Sequence, residues 1–227
     1  MRSHYAFVAV VLSSALLPSP VLADAVLQTL PEDGAWVQFH VNLKIGGQVS
    51  DPVWTLKSVG TKQVGGDACR WIELQSKHGE RNVVLFKCLV AESEFGKGKD
   101  PLAAARQVFV KNFDQEPREV QSVAAADPVL ALILSGPAQA KKLDVKEAVD
   151  VQKGRIECEV FTGTSQGEIG GTKFELEHQL LMSDEVPYGV AAARFRVNVA
   201  GNAFTASVDC VQKDSGKDAK SALPGIE

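Results

Sequence analysis

At 227 residues, 45% hydrophobic and with a formal net charge of −4, the chain is long enough for one large domain or two small ones, and it mixes both charge signs throughout. That balance argues against a nucleic-acid partner, which needs a basic face. Four cysteines without a Cys-x-x-Cys pair, and without a histidine at zinc-finger spacing, argue against a metal cluster.

The N-terminus reads as a secretory signal. Arg2 supplies a positive start, residues Ala6 to Leu17 form an apolar run too short to span a bilayer comfortably, and small residues follow at cleavage spacing. Cleavage fits after Ala23 or after Ala25; an uncleaved anchor is the alternative. No cysteine follows either position, which argues against a lipid anchor of the bacterial lipoprotein type. No later stretch is long and apolar enough to span a membrane. The expectation is an exported protein, in the bacterial periplasm or secreted, that does not span the membrane. Residues 1–23 would be the signal, 26–212 one domain, and the polar stretch 213–227 a frayed tail.

The first strand is "WVQFHVNLKI", with Val37, Phe39, Val41, Leu43 and Ile45 on one face and His40 on the wet one. "PVWTLKSVG", "ACRWIELQ" and "NVVLFKCLV" follow, the last two joined by a turn at "KHGER". The pattern then changes. "DPLAAARQVFVK" opens on Asp100 and Pro101, a cap and a first helical residue, and repeats Leu102, Ala105 and Phe109 on one helical face. "DPVLALILSGP" repeats the device with Asp127 and Pro128 and stops at Gly136-Pro137; its nearly uniform apolarity predicts burial against a sheet.

Strands return in "RIECEVFTG", "TKFELEHQLLM", "YGVAAARFRVNV" and "AFTASVDCVQ", with "TGTSQGEIGGT" read as a flexible hairpin loop. Four strands, two helices and four strands predict an α+β fold. It would be a single curved antiparallel sheet, a half-barrel of about eight strands, with two helices packed on the concave face. In an oxidising compartment an even cysteine count suggests two disulfides. Of the three pairings of Cys69, Cys88, Cys158 and Cys210, the expected one is Cys69–Cys88 with Cys158–Cys210, because each joins strands within one half of the chain. Four free buried thiols are the alternative.

Chemical candidates are few. In "SDEVPYGV", Asp184 and Glu185 are neighbours in a turn shaped by Pro187 and Gly189, so they are read as solvated turn residues and not as an acid–base pair; a binding lip is the lesser alternative. His40 lies on a wet face and His78 in a turn. His178 shares a face with Phe174, Leu176 and Leu180 and is read as a core-edge imidazole held by a backbone carbonyl, with a ligand or a base as the lesser alternative. No nucleophile elbow, zinc-protease helix, phosphate loop or dinucleotide fingerprint is present. No catalytic, cofactor-binding or metal-binding residue is expected, and no cofactor.

The segments "LPEDGAWVQFHV", "VGGDACRWIELQ", "DPLAAARQVFVK", "GRIECEVFTGT" and "LMSDEVPYGVAAARF", in that order, resemble an uncharacterised family of secreted bacterial proteins of planctomycete type. More distantly, the layout resembles the periplasmic lipoprotein carriers of the LolA/LolB type. That resemblance implies a half-barrel closed by helices over an apolar cavity that takes acyl chains, with a lipid or lipoprotein as partner. The expected lining is Leu130, Ile133, Leu134, Phe174, Leu176, His178 and Phe195. Two functions stay open: a non-enzymatic exported protein holding an apolar ligand, or an exported structural or interaction domain with a filled core. A hydrolase is the third reading.

Overall fold

The computed structural model describes residues 27–45, 47–96, 98–135, 140–152, 154–169, 172–199 and 205–226. The segment read as a secretory signal, the Gly136-Pro137 stop and Phe204 lie outside them. Twelve strands among the described residues form one antiparallel sheet: β1 (Trp36–Ile45), β2 (Gln48–Ser50), β3 (Val53–Val64), β4 (Asp67–His78), β5 (Arg81–Ala91), β6 (Gln107–Asn112), β7 (Arg118–Val120), β8 (Lys141–Val151), β9 (Gly154–Ile169), β10 (Thr172–Met182), β11 (Val190–Val199) and β12 (Thr205–Gly216). The spatial order is β7-β6-β5-β4-β3-β1-β12-β11-β10-β9-β8, with β2 folded onto the end of β1. The first and last long strands thus pair with each other and join two meanders.

This corrects the expected architecture. Among the described residues the sheet has twelve strands, not about eight, and α-helix is confined to α1 (Val123–Ala126), a single turn, and α2 (Pro128–Ser135), eight residues. The first expected helix is absent. Asp100 does cap a turn, accepting the Leu102 and Ala103 N–H groups, but Gln107–Asn112 then runs as β6. The edge of β5 offers unpaired backbone groups that β6 satisfies, and the alternating Val108, Phe109, Val110 suits a pleat. Val108 and Val110 enter the inner core while Phe109 packs on the outer face, so the supposed helical face is divided between two sides of a sheet. Residues 162–169 of the glycine-rich stretch read as a loop are instead the far half of β9, paired to β10 as far as Ile169 with Thr172. β8 went unread because it is a charged edge strand; Lys142 and Lys146 pair across the ladder with Glu159 and Glu157.

The sheet curls. Leu74 of β4 and Phe195 of β11 are four strands apart, about 19 Å in a flat sheet, yet both line one small void of about 20 Å³ with Ile133 and Leu134. The inner face therefore forms a trough. Its apolar cluster takes residues from β1, β3 to β6 and β10 to β12, together with Leu130, Ile133 and Leu134 of α2.

The outer face carries two smaller cores. The β8–β9 end folds over β10 to β12, where Val149, Cys158, Leu181, Val186, Ala191 and Ala192 pack together. On the other half, Val59, Cys69, Trp71, Leu89 and Ala91 are covered by the closing segment after Gly216, whose Ala219 and Ile226 pack onto them. That segment does not fray as expected. The Trp36 indole donates to Asp218, the Ala219 N–H donates to the Gly34 carbonyl, and Leu223 is buried.

The cysteines correct the disulfide expectation as well: all four are free and buried. Cys69 stands opposite Ala91 and Cys88 opposite Ile72, which puts the two thiols on opposite faces of the β4–β5 ladder. Cys158 and Cys210 are separated by two intervening strands, about 14 Å, and they too belong to opposite faces. A disulfide needs Cα atoms within about 7 Å and Cβ vectors that meet.

Candidate functional site

α2 starts where Asp127 accepts the Leu130 N–H at 2.9 Å. The cap turns the helix so that Leu130, Ile133 and Leu134 face the trough, each under a tenth exposed. Between α2 and the sheet lies a pocket of about 460 Å³, lined by Leu43, Trp54, Leu74, Leu130, Ile133 and Val208, with Ser50, Ser76, His78 and Asp127 among its polar residues. The volume falls within the range of about 300–1,000 Å³ usual for ligand sites. The smaller void continues under Ile133 and Leu134 between Phe39, Leu56, Val190 and Phe195. The arrangement is an apolar cleft beneath a short helix, at the end of the trough where β3 and β5 begin.

Of the residues expected to line such a site, Leu130 and Ile133 form walls of the pocket, and Leu134 and Phe195 line the void next to it. Leu176 and His178 are buried on the same inner face but belong to neither wall. Phe174 lies farther along β10 and is half-buried. Leu43, Trp54, Leu74 and Val208 were missed. Their inward alternation was legible, but nothing in the sequence says which end of the trough stays open.

His178 departs from the reading made of it. Its imidazole is 3% exposed, and neither ring nitrogen has a hydrogen-bond partner among the described residues. The ring stands edge-on to Phe195, centroids 5.4 Å apart. Burial in this apolar setting drives its pKa down to about 4, so the ring is neutral at physiological pH. His40 and His78 are exposed, as read.

The Ser183–Gly189 connection is a built turn. The Ser183 N–H donates to the Gly189 carbonyl at 3.0 Å, and Tyr188, at φ 64°, turns its ring fully into the inner core. Asp184 and Glu185 are exposed. Burial pushes the Cys88 and Cys210 thiols up to about 12 and that of Cys158 to about 11, which makes them poor nucleophiles. Among the described residues no group of three or more His, Cys, Asp or Glu side chains is placed to hold a metal ion. No described helix is long and apolar enough to cross a membrane.

Fold and cleft define the molecule's class: a curled, open antiparallel sheet with a short apolar helix laid in its trough. No family model matches the chain, and no curated protein matches it. The solved structures similar to it include the following two. One is a DUF1329 family protein from Desulfovibrio piger, with 10% identity and a TM-score of 0.39 over 85% of this chain and 89% of that one. The other, from Bacteroides fragilis, is described as an exported protein with a YmcC-like fold, with 8% identity and a TM-score of 0.37 over 86% of this chain and all of that one. Likeness this low decides neither fold nor function.

Proposed function

We propose that the protein is an exported, non-enzymatic binding protein that holds one apolar chain of a lipid or lipoprotein in the cleft beneath α2. The observation that carries this is the pocket of about 460 Å³ with Leu43, Trp54, Leu74, Leu130, Ile133 and Val208 on its walls. Apolar walls reward burial of hydrocarbon at about 25 cal/mol per Å². Export rests on the N-terminal pattern of Arg2, the apolar run and the small residues before Ala23 and Ala25. A binding role is preferred to catalysis because all four thiols are buried, those of Cys88, Cys158 and Cys210 with raised pKa values, and His178 has no hydrogen-bond partner among the described residues to act on or be oriented by.

A second reading, a structural or interaction domain with a filled trough, is favoured by the small size of the void under Leu134, where α2 and the sheet are already close-packed. Native mass spectrometry of the protein purified from its own envelope separates the two. A lipid-sized adduct, lost on delipidation and regained on exposure to envelope lipid, is the expected result. A bare polypeptide mass under gentle ionisation, with no uptake of added lipid, rejects the carrier reading in favour of the filled domain.

A further inference from the structure

Leu43, Val208, Phe195 and His178 stand directly opposite one another across β1, β12, β11 and β10. Leu43 and Val208 are walls of the pocket, and Phe195 lines the void beside it. His178 is the next residue in this row, one strand beyond Phe195 and in edge contact with its ring. Across from it on β9 is Gly163, which brings no side chain over the imidazole. The row is thus an apolar floor strip ending in one polar group.

That polar group is anomalous. Buried side-chain nitrogens are nearly always paired, because an unpaired one forfeits its hydration without return. His178 leaves both nitrogens without a partner among the described residues. A phenylalanine or leucine would fill the same volume without that penalty. Retention of an imidazole at the end of an apolar strip makes sense if a partner arrives with the ligand.

We propose that His178 anchors the polar group of the bound molecule, so that the ligand is a neutral single-chain amphiphile bearing a hydroxyl. This deepens, and rests on, the reading of the cleft as an apolar binding site. A neutral imidazole offers one donor and one acceptor, and a hydroxyl matches either tautomer by accepting from the N–H or donating to the bare nitrogen. An anion fits poorly. Among the described residues the one charged side chain on the pocket wall is Asp127, whose carboxylate already accepts the Leu130 N–H, and no described lysine or arginine lines pocket or void. A buried carboxylate or phosphate would have no counter-charge there. Bare hydrocarbon leaves the histidine unpaired.

The test uses the mature full-length protein, with N-phenyl-1-naphthylamine as a neutral fluorescent probe displaced by dodecanol or by dodecane. The reading is the ratio of the two displacement midpoints, compared among wild type, His178→Phe and His178→Gln. A hydrogen bond at His178 is expected to shift that ratio about tenfold toward the alkane in His178→Phe. His178→Gln, whose amide still donates and accepts, should stay within about threefold of wild type on the same scale. Dodecanol should also move the imidazole nitrogen resonances of 15N-labelled wild-type protein, a readout independent of either variant's folding. An unchanged ratio in His178→Phe together with unmoved resonances overturns the anchor while leaving the cleft intact. Failure of either compound to displace the probe, or of the probe to bind, overturns the cleft and the anchor together.

Discussion

The ammonium group of Lys87 lies 3.8 Å from the carboxylate of Glu73, and neither side chain has meaningful contact with water. The two stand opposite each other in the β4–β5 ladder on the outer face. What shields them is the closing segment. Ser221 donates its hydroxyl to Glu73, the Ala222 N–H donates to the same carboxylate at 2.8 Å, and Lys87 donates to Ser221 at 3.0 Å and to the Leu223 carbonyl at 3.2 Å. Lys87 also sits 5.1 Å from the Trp71 ring centroid.

A buried ion pair with this many partners predicts strong non-additivity. Glu73→Leu alone should cost about 3–5 kcal/mol, because it leaves the ammonium buried without its counter-charge. The Glu73→Leu, Lys87→Leu double variant should lose much less than the sum of the two single losses. Urea denaturation of the four proteins in the cycle measures both. Additive losses below about 1 kcal/mol each would mean that the pair is solvated and the closing segment detached.

Free thiols on opposite faces predict complete resistance to reductant. Dithiothreitol should leave the melting temperature unchanged. The native protein should react with a thiol reagent only as fast as it unfolds, and all four cysteines should titrate in denaturant. Peptide mapping under non-reducing conditions that recovers a Cys69–Cys88 or Cys158–Cys210 bridge contradicts the strand register.

The turn between β10 and β11 predicts a contrast between neighbouring residues. Gly189 has φ 81°, and a side chain there would meet Thr29 Oγ1 at 3.2 Å, so Gly189→Val should cost at least about 1–3 kcal/mol. Asp184→Ala with Glu185→Ala should stay within about 0.5 kcal/mol per residue, since both side chains are in water. Thermal melts of the two variants are sufficient. Equal losses would show that the acids, and not the backbone, hold the turn.

His178 predicts a specific acid sensitivity. The folded chain protonates this ring only near about 4, whereas the unfolded chain takes up the proton near the ordinary value of about 6.5. Between those two values the unfolded state binds more protons, so the neutral ring's contribution is complete above about 6.5 and is lost as the pH falls toward 4. The loss should approach about 3 kcal/mol and be missing from His178→Phe. Subtracting one stability–pH curve from the other cancels the carboxylates common to both. A flat difference between pH 4 and 7 would place the imidazole in water or against a partner.

How much of this was legible in the sequence varies by element. Eight of the strands announce themselves by alternation, since a half-buried pleat requires apolar residues at every second position; Val37, Phe39 and Val41 show it without ambiguity. Asp127 before Pro128 correctly marks the start of α2, because a cap is a local hydrogen bond between near neighbours. The exposure of Asp184 and Glu185 follows from turn chemistry of the same local kind.

Everything that depends on which residues face each other across the fold had to wait for the tertiary structure. Whether Cys158 meets Cys210 depends on two strands between them and on the parity of each ladder, and a single residue of register reverses a thiol's face. The stretch from Gln107 to Asn112 is a strand because β5 presents an edge to it; its own Val-Phe-Val alternation suits a strand, but the Asp100-Pro101 start and the alanine run that follows it give the whole segment a helix-like reading. The closing segment looks like a polar tail until Glu73 and Lys87, more than a hundred residues earlier, are found beneath it. The unpaired imidazole of His178 belongs to the same category. Its apolar neighbours could be read from alternation, but its burial without a hydrogen-bond partner among the described residues depends on how the inner face packs as a whole.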